Sequence, residues 1–399
     1  MKIFSDVTSC ASCLDNTLIR LHDFGKVPLA GYFPYHDSLD STFLCEMTLL
    51  KCKKCGLVQI GQNINDEVLF SDYRYLSKYG MALHFQELSG WIANKVDLFE
   101  SKILEIGCND GTLIEELSKT GLQVEGIDPA KNVTARALAK GYKIYSDFFS
   151  SNFVRINKLA DSYDLIISCN SFAHISSIRD VCEGIALALK SHGKLIIEVQ
   201  SWPDLVSQSA FDFVYHEHKY YYDLNSISNL LNQFGMFLID ASKIDSHGKS
   251  YRLIFEKHGS KNINDFLVAS EVLTDDHKII ESLEQYNCSL QDLKSKLENF
   301  KKKNLKIIGF GASGRANMML GQISLNELID CIFDESPERI GRQMGFTKIP
   351  ILNFDAIISG NYDICLILAW NHAEQIIKKW PHKGKLMLIP LPNYLEINV

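Results

Sequence analysis

The sequence predicts an α/β protein with a doubly wound parallel sheet and a second, smaller α/β unit, preceded by a small metal-binding segment. Two blocks of the chain alternate short apolar strands with helical stretches, the pattern of a parallel sheet covered by helices. Each block opens with a strand that leads into a glycine-containing turn, at residues 105–111 and 309–314. Two CxxC pairs precede the first block. We therefore expect three domains, at 1–70, 71–260 and 261–399.

The composition indicates a globular protein and argues against some partners. Hydrophobic residues make up 46% of the 399 residues and charged residues 22%, enough to form a sizeable core. The formal net charge of −7 argues against nucleic acid as the main partner. The sequence contains no uninterrupted run of 18 apolar residues, so it predicts no membrane span. Its N-terminus lacks an apolar signal core. We expect a cytoplasmic protein that needs neither membrane nor nucleic acid, and for which a monomer suffices.

The two CxxC pairs have the spacing of a metal site. They consist of Cys10, Cys13, Cys52 and Cys55, and Gly56 follows the second pair, where it suits a tight turn. Four thiolates satisfy tetrahedral zinc and leave no open position, so we expect a structural Zn²⁺ ion. Two unrelated reduced pairs are the alternative. A redox role is disfavoured because no helical pattern follows either pair to lower a thiol pKa.

The strands of the two blocks are predicted from short apolar runs, and the helices from apolar residues at helical spacing. The first block contains a helix at 81–94, parallel strands at 102–107, 124–128, 142–145, 163–169 and 194–199, and paired strands at 236–244 and 251–257. The second block contains a helical connector at 264–303 and strands at 305–309, 329–334, 363–369 and 385–389.

The first glycine turn carries acids where a dinucleotide site has its third glycine. Its sequence at 105–111 is EIGCNDG. Acids would repel a pyrophosphate, whereas S-adenosylmethionine has a sulfonium, an ammonium and no phosphate. Asp128 ends the second strand, where a carboxylate can bind both ribose hydroxyls. Asp147 and Phe148 are placed to cover the adenine, and Asn170 lies at the ligand edge of the sheet. This pattern resembles class I S-adenosylmethionine-dependent methyltransferases, with an NAD site as the alternative. The expected cofactor-binding residues are Glu105, Gly107, Asn109, Asp110, Gly111, Asp128, Asp147, Phe148 and Asn170.

Residues 211–222, with the sequence FDFVYHEHKYYY, concentrate groups that transfer protons. Tyr215, His216, Glu217 and His218 follow one another between aromatic residues. Histidine titrates near neutral pH and tyrosine donates from its phenol, so the cluster is typical of a catalytic pocket. A polar loop with packed aromatic rings is the alternative.

The order of these segments resembles the sugar C-methyltransferases, which act on nucleotide-linked 4-keto-6-deoxyhexoses. The resemblance covers essentially the whole chain, with departures at Lys249 and at the ASG of 312–314. It is carried by the N-terminal cysteine segment, Tyr73-Arg74-Tyr75, residues 170–174 (NSFAH), 215–218 (YHEH), 247–252 (HGKSYR), 368–371 (LAWN) and 389–392 (IPLP).

This resemblance implies both a fold and a reaction. The fold would be a central class I methyltransferase Rossmann-like parallel sheet, a small N-terminal zinc-binding domain and a smaller C-terminal α/β Rossmann-like domain. The reaction would be C-methylation at carbon 3 through an enolate, with a sugar O-methyltransferase as the alternative. The implied roles are a base (His218), an acid or polarising donor (Tyr215), an orienting carboxylate (Glu217), a group facing the sugar (His174), aromatic covers (Tyr73 or Tyr75) and packing (His216).

The second glycine turn supports two interpretations. Gly309, Gly311 and Gly314 fit a dinucleotide turn, and Asp334 follows about 20 residues later, as in an NAD site. An NAD(P)-dependent oxidoreductase is therefore the alternative. In the context of the resemblance, the turn would hold the diphosphate of the nucleotide sugar at a helix N-terminus. The residues expected there are Gly311, Ala312, Ser313 and Asn317, with Arg252 reaching the phosphates.

Overall fold

The computed structural model describes residues 4–35, 44–70, 73–95, 101–246, 248–259, 274–323 and 327–399. The chain forms two compact units whose segments alternate along the sequence. The first unit consists of Met1–Ile19, Leu50–Asp204 and Lys219–Leu273, and the second of Arg20–Leu49, Leu205–His218 and Thr274–Val399. The three-domain division stays a prediction. His247, part of one resemblance motif, and residues 264–273 of the predicted helical connector lie outside the described residues.

The strands that the sequence predicts lie within two residues of the observed bounds at most of their ends. In chain order the observed strands are β1 (Phe4–Asp6), β2 (Leu18–Pro28), β3 (Leu44–Cys52), β4 (Val58–Ile60), β5 (Gln62–Ile64), β6 (Lys102–Ile106), β7 (Gln123–Ile127), β8 (Lys143–Tyr145), β9 (Tyr163–Cys169), β10 (Leu189–Gln200), β11 (Tyr220–Tyr221), β12 (Met236–Ile244), β13 (Ser250–Lys257), β14 (Ile307–Phe310), β15 (Cys331–Asp334), β16 (Ile351–Asn353), β17 (Ile364–Ile367), β18 (Leu386–Ile389) and β19 (Leu395–Asn398). Of these, β1–β5, β11, β16 and β19 were not predicted.

The helices lie between these strands, as the alternating pattern predicts. They are α1 (Asp66–Phe70), α2 (Ser77–Gly80), α3 (Ala82–Lys95), α4 (Thr112–Ser118), α5 (Lys131–Ala139), α6 (Ser151–Ile156), α7 (Ile178–Ala188), α8 (Trp202–Ser207), α9 (Leu224–Asn232), α10 (Asp276–Lys302), α11 (Gly314–Ile323) and α12 (Ala373–Lys378). Within the described ranges, none of them combines the length and the apolar character needed to cross a membrane.

The first unit is built on a seven-stranded sheet with the order β12-β13-β10-β9-β6-β7-β8. Strand β13 runs antiparallel to both of its neighbours, while β10, β9, β6, β7 and β8 are parallel. Successive residues of β6 enter different cores: Ile103 packs with α3 and α4, and Leu104 packs with α6, α7 and α9. Helices thus cover both faces, and the sheet confirms the predicted class I methyltransferase fold.

The fifth parallel strand is longer than predicted. Strand β10 begins at Leu189 instead of Lys194, because Leu189 already pairs with Tyr163 of β9. A register shift separates this pair from the next one, Lys194 with Leu165. The polar residues between Leu189 and Lys194 hide the strand from a search for apolar runs.

The second unit contains a six-stranded sheet with the order β16-β15-β14-β17-β18-β19. Its strands are parallel except for β19, which is antiparallel to β18. The sequence did not predict β16 and β19, which are short and largely exposed. Helix α10 begins after Asp275, whose carboxylate accepts the Lys278 N–H. The predicted smaller α/β block is confirmed as a mainly parallel sheet with helices along the same stretch of chain.

Candidate functional site

The first glycine turn lies at the carboxyl end of β6, where the backbone passes close to its neighbours. Gly107 has a φ of 79°, and a Cβ atom there would lie 2.4 Å from the Cβ atom of Ser171. Gly111 has a φ of 76°, and its Cβ would lie 2.8 Å from the Cβ of Ala137. Both positions therefore require glycine for conformation and for space.

Three buried carboxylates surround this turn: Glu105, Asp110 and Asp128. Burial, together with the charges of Asp110 and Asp128, raises the pKa of Glu105 well above its usual value. Oxygen Oε2 of Glu105 has no hydrogen-bond partner among the described residues. Burial also raises the pKa of Asp128. Such a cluster is costly without a cation, so it favours a positively charged ligand.

Asp128 is held by the backbone and keeps acceptor capacity. Its Oδ2 accepts the Asn109 N–H at 3.0 Å and its Oδ1 accepts the Ala130 N–H at 2.9 Å. A carboxylate has about four lone-pair positions, so two bonds leave room for ribose hydroxyls. The carboxylate is thus oriented at the end of β7, where the sequence places it.

The side chains of Asn109 and Asp110 fix the preceding aromatic segment. Asn109 Oδ1 accepts the Ser77 N–H at 3.1 Å and Asn109 Nδ2 donates to the Tyr75 carbonyl at 3.0 Å. Asp110 Oδ2 accepts the Lys78 N–H at 3.1 Å. The sequence assigned both residues to the cofactor alone. The structure shows that they also dock the residues that carry Tyr75 against the turn.

Aromatic rings line the same edge of the sheet. The ring centroid of Phe70 lies 5.7 Å from that of Tyr73 and 6.3 Å from that of Phe148. Phe148 follows β8 and is 41% exposed, and Asp147 Oδ1 accepts its N–H at 2.7 Å. Asn132 Nδ2 donates to the Tyr73 carbonyl at 2.7 Å. Phe148 therefore offers an accessible ring, as an adenine cover requires, and Phe70 is a neighbour that the sequence analysis missed.

The loop after β9 carries Asn170 and His174. The Asn170 N–H donates to the Glu198 carbonyl at 2.9 Å, and no described residue bonds its Oδ1. Burial, with a smaller effect of the Lys219 charge, lowers the pKa of His174 to about 4. His174 is therefore a neutral imidazole at physiological pH, able to contact a neutral hydroxyl without adding charge.

Lys219 is a buried cation that sequence reasoning passed over. Its Nζ donates to Asn63 Oδ1 at 2.8 Å, to Asp66 Oδ1 at 2.9 Å and to the Ile64 carbonyl at 3.2 Å. Its backbone N–H donates to the Ala173 carbonyl at 2.8 Å. The residue that follows His218 in the chain is thus fixed beside the loop that carries His174.

In the second unit, Tyr215 and His218 form a hydrogen-bonded pair. The Tyr215 hydroxyl lies 2.6 Å from His218 Nε2, and the ring centroids are 4.0 Å apart. His218 Nδ1 lies 3.1 Å from the Phe213 carbonyl. A carbonyl only accepts, so Nδ1 carries a proton; when the ring is neutral, Nε2 therefore accepts from Tyr215. This tautomer presents the lone pair that a general base needs.

Glu217 and His216 point to different partners. Glu217 Oε1 accepts the Gly31 N–H at 2.8 Å. A Cβ atom at Gly31 would lie 2.6 Å from that oxygen, so the carboxylate depends on a glycine there. His216 is fully buried, and its Nε2 donates to the Glu46 carbonyl at 3.0 Å. His216 therefore has the surroundings of a packing residue.

The second glycine turn uses several of its polar groups internally. Gly311 has a φ of 93°, and its Cβ would lie 2.8 Å from the Cβ of Ala369. The Ala312 N–H donates to Asp334 Oδ2 at 2.7 Å. Ser313 Oγ accepts the Ala316 N–H at 3.1 Å, which caps the first turn of α11. The backbone at 311–313 is thus rigid where a diphosphate would approach.

Asn317 and Arg252 lie in surroundings other than those the sequence suggested. Asn317 is fully buried: its Nδ2 donates to the Leu29 and Tyr32 carbonyls at 3.0 and 3.1 Å, and its Oδ1 accepts the Gly345 N–H at 3.2 Å. Its side chain braces the unit and has no group left for a phosphate.

Arg252 belongs to a buried ion network in the first unit. Its Nε donates to Glu198 Oε1 at 2.5 Å, and its terminal nitrogens donate to Glu87 at 2.6 and 2.9 Å. His84 and Cys169 bond the other Glu198 oxygen at 2.6 and 2.9 Å. With both carboxylates already paired to Arg252, this placement gives no support to a contact with phosphate.

The four N-terminal cysteines converge as their spacing predicts. Cys10 Sγ lies 3.4 Å from Cys55 Sγ, and Cys13 Sγ lies 3.6 Å from Cys52 Sγ. All four sulfur atoms lie within 4.8 Å of one another, and none is in a disulfide. A tetrahedral ion with Zn–S bonds of about 2.3 Å would separate its sulfur ligands by about 3.8 Å. The donor set and its spacing therefore fit a zinc ion.

Two family models match successive parts of the chain. Residues 74–240 match the family described as "Methyltransferase domain", and residues 246–392 match the family described as "C-methyltransferase C-terminal domain". The chain is 24% identical to the C-methyltransferase NovU of Streptomyces niveus, over 98% of this chain and 97% of that protein.

Other relatives match only part of the chain. A ubiquinone biosynthesis O-methyltransferase of Idiomarina loihiensis is 32% identical over 127 residues, which is 28% of this chain and 50% of that protein. Magnesium protoporphyrin IX methyltransferase from Synechocystis PCC 6803 is a solved structure with 15% identity and a TM-score of 0.35, over 45% of this chain and 81% of that one. A TM-score this low adds nothing to the fold assignment that the sheet order gives.

Proposed function

We propose that this chain, which belongs to the S-adenosylmethionine-dependent C-methyltransferases, methylates carbon 3 of a nucleotide-linked 4-keto-6-deoxyhexose. The substrate class rests on the resemblance carried by the motifs at 73–75, 170–174, 215–218 and 368–371. The observation that carries the proposed chemistry is the hydrogen-bond chain from the Tyr215 hydroxyl through His218 to the Phe213 carbonyl. It supplies a neutral base with a defined tautomer, and an O–H donor beside it.

The three buried carboxylates around the first glycine turn fit the cofactor. Glu105, with one unpartnered oxygen, suits the ammonium group, and Asp128 suits the ribose hydroxyls. Phe148 is available to the adenine, while Gly107 and Gly111 let the backbone approach closely. S-adenosylmethionine supplies an electrophilic methyl group on a cationic sulfur when it is bound.

His218 is the proposed base. The ketone at carbon 4 acidifies the hydrogen on carbon 3, because the electron pair left behind delocalises into an enolate. His218 Nε2 takes that proton, and the Tyr215 hydroxyl turns from Nε2 to the developing enolate oxygen. Donors aimed at such an oxygen are among the largest contributions to catalysis. The carbanion at carbon 3 would then accept the methyl group that the bound cofactor supplies, with S-adenosylhomocysteine as the leaving group.

The neighbouring groups have supporting roles in this proposal. Glu217, held by the Gly31 N–H, orients the Tyr215–His218 pair. His174 is neutral and contacts a sugar hydroxyl. Tyr73 or Tyr75 covers the cofactor or the sugar. The diphosphate binds at Gly311, Ala312 and Ser313, where the N-terminus of α11 favours an anion.

A product assay tests the reaction directly. The purified protein is incubated with methyl-labelled S-adenosylmethionine and a panel of nucleotide 4-keto sugars, and the product is analysed by NMR. We expect a methyl group bonded to carbon 3. A methyl ether would instead show a sugar O-methyltransferase. Redox turnover that requires NAD(P)H would show that the second glycine turn binds a dinucleotide.

We also propose that the four cysteines hold one structural zinc ion. Metal-edge absorption spectroscopy should show sulfur-only ligation by one zinc per chain. Cys52→Ser should impair folding more than the chemical step, because binding of a structural metal contributes directly to folding. Cys182→Ser, a buried cysteine outside the cluster, is the matched control and should retain the metal. Protein purified without chelator that contains no metal would contradict the proposal.

A further inference from the structure

We propose that Arg315 is a positioning residue for His218, acting through the Asp212–Phe213 turn. The inference rests on the proposed function in one respect, since it takes His218 as the base. Arg315 is the second residue of α11, directly after the glycine turn at 309–314. Its side chain contacts the turn that precedes the YHEH segment.

The guanidinium of Arg315 is enclosed on several sides. It donates to Asp212 Oδ2 at 3.2 Å and to Asn371 Oδ1. Its carbon Cζ lies 4.1 Å from the ring centroid of Phe213 and 5.5 Å from that of Trp370. The side chain is only 11% exposed. Cation–π contacts of this kind are strongest when they are desolvated.

Asp212 makes this cation necessary. The carboxylate is buried, and its Oδ2 also accepts the Trp370 Nε1–H at 2.8 Å. Its Oδ1 has no hydrogen-bond partner within the described ranges. A buried carboxylate with one bare oxygen is tolerated only beside a compensating charge. Loss of Arg315 would therefore displace or protonate Asp212 and release the turn at 211–213.

The same turn sets the tautomer of His218. Phe213 supplies the carbonyl that accepts the Nδ1–H, and its ring is the one that stacks on Arg315. When this carbonyl moves, Nδ1 loses its acceptor. Either ring nitrogen can then carry the proton, so the lone pair is no longer fixed on Nε2. Groups that orient a catalytic residue in this way need their own rigid support. Arg315 thus connects the turn proposed to bind diphosphate with the proton acceptor.

The experiment compares Arg315→Met with Arg315→Lys. Histidines are labelled with ¹⁵N, and the His218 signals are assigned by their loss in His218→Asn. Wild type should show the Nδ1–H tautomer. In Arg315→Met we expect a mixture of tautomers and a kcat lower by about 10–100-fold, the usual cost of losing an orienting partner. KM and cofactor affinity should change little. Arg315→Lys keeps the charge and should recover most of the Nδ1–H tautomer and most of kcat.

Arg342→Met is the matched control. Arg342 also lies over an aromatic ring, 3.9 Å from the Tyr35 centroid, and it donates to the Phe33 carbonyl instead of to Asp212. The His218 tautomer signal of Arg342→Met should equal that of wild type. If Arg315→Met does not fold, Trp370→Phe takes its place. This variant keeps a ring and removes one donor to Asp212, so it should shift the His218 tautomer signal in the same direction.

Two results would overturn the inference. Arg315→Met with the wild-type tautomer and kcat would show that the contact is only structural. A raised KM with unchanged kcat and tautomer would make Arg315 a phosphate ligand instead. The tautomer is read without any sugar, so this result is independent of whether the proposed substrate is correct.

Discussion

The two glycine turns share one backbone arrangement but differ in the charged residues around them. In each, an aspartate at the end of the second strand accepts two backbone N–H groups. Asp128 bonds Asn109 and Ala130, at 3.0 and 2.9 Å, and Asp334 bonds Ala312 and Ser336, both at 2.7 Å. This pairing fixes the turn to the neighbouring strand. It belongs to the fold, so it does not by itself identify a ligand.

The residues around the two turns differ in charge. The first turn adds Glu105 and Asp110 to Asp128, all buried. At the second turn both neighbouring arginines are already paired: Arg315 Nη1 donates to Asp212 Oδ2 at 3.2 Å, and Arg339 Nη1 lies 3.6 Å from Asp334 Oδ2. The first turn therefore suits a cation without phosphate, whereas the diphosphate site proposed at the second turn rests on the N-terminus of α11. Loop chemistry, carried on a common scaffold, decides the ligand.

The largest expected effect separates chemistry from cofactor binding. His218→Asn removes the proposed base from the second unit and leaves the acidic turn of the first unit intact. We expect turnover to fall by about 10²–10⁴-fold, the usual contribution of general base catalysis. Calorimetry should show unchanged affinity for S-adenosylhomocysteine. Tyr215→Phe, which keeps the ring, should cost about 10–1000-fold, the upper end corresponding to one lost oxyanion donor.

Hydrogen exchange at carbon 3 gives an independent measurement of the base. Wild type saturated with sugar and S-adenosylhomocysteine should exchange this hydrogen with deuterated water, and His218→Asn should not. Near-normal turnover in a folded, cofactor-saturated His218→Asn protein would remove His218 from the role and leave His174 and His216 as candidates.

Replacing each of the two strand-end aspartates with alanine tests the comparison between the two turns. Asp128→Ala should weaken S-adenosylmethionine binding by about 1.5–3 kcal/mol, the range for hydrogen bonds to charged groups. Asp334→Ala removes the equivalent carboxylate from the second turn and should leave that affinity unchanged. Calorimetry measures both. Equal affinity in wild type and Asp128→Ala would place the cofactor elsewhere.

The glycines give a smaller contrast of the same kind. Gly107→Ala and Gly311→Ala each force a Cβ atom into a neighbour at a positive φ, with a cost of about 1–3 kcal/mol. Gly107→Ala should weaken cofactor binding, and Gly311→Ala should weaken nucleotide-sugar binding only. Gly121→Ala, at a φ of 84° with open space around it, controls for backbone strain. Loss of cofactor affinity in Gly311→Ala would contradict this division of labour.

The smallest effect concerns the neutral histidine of the first unit. Its pKa falls from 6.5 in the unfolded chain to about 4, so below pH 6.5 the unfolded state binds more protons. His174 therefore withdraws stability as the pH falls, by about 1–2 kcal/mol between pH 7.5 and 5. Urea unfolding of wild type and His174→Gln at both pH values measures this. An identical pH dependence would show that His174 is not buried as a neutral ring.

Local sequence patterns were sufficient for the fold and for the types of chemistry. Strand β9 was predicted with its observed bounds, because a buried parallel strand is a nearly continuous apolar run. Acids in the first turn and the two CxxC pairs indicated their ligand classes, since charge and thiol spacing are local properties. The full length of β10 and the strands β1–β5, β11, β16 and β19 were not predicted, because pairing with neighbouring strands, rather than an apolar run, defines them.

The partner of each polar side chain was decided only by the tertiary structure. Asn317 looked like a phosphate ligand, but its amide binds carbonyls almost three hundred residues earlier in the chain. Arg252 looked like a phosphate ligand as well, yet two carboxylates on other elements hold it. The tautomer of His218 depends on the Phe213 carbonyl, which a residue pattern does not display. A sequence records which groups a chain carries, whereas hydrogen bonds between distant segments determine which of them remain available to a ligand.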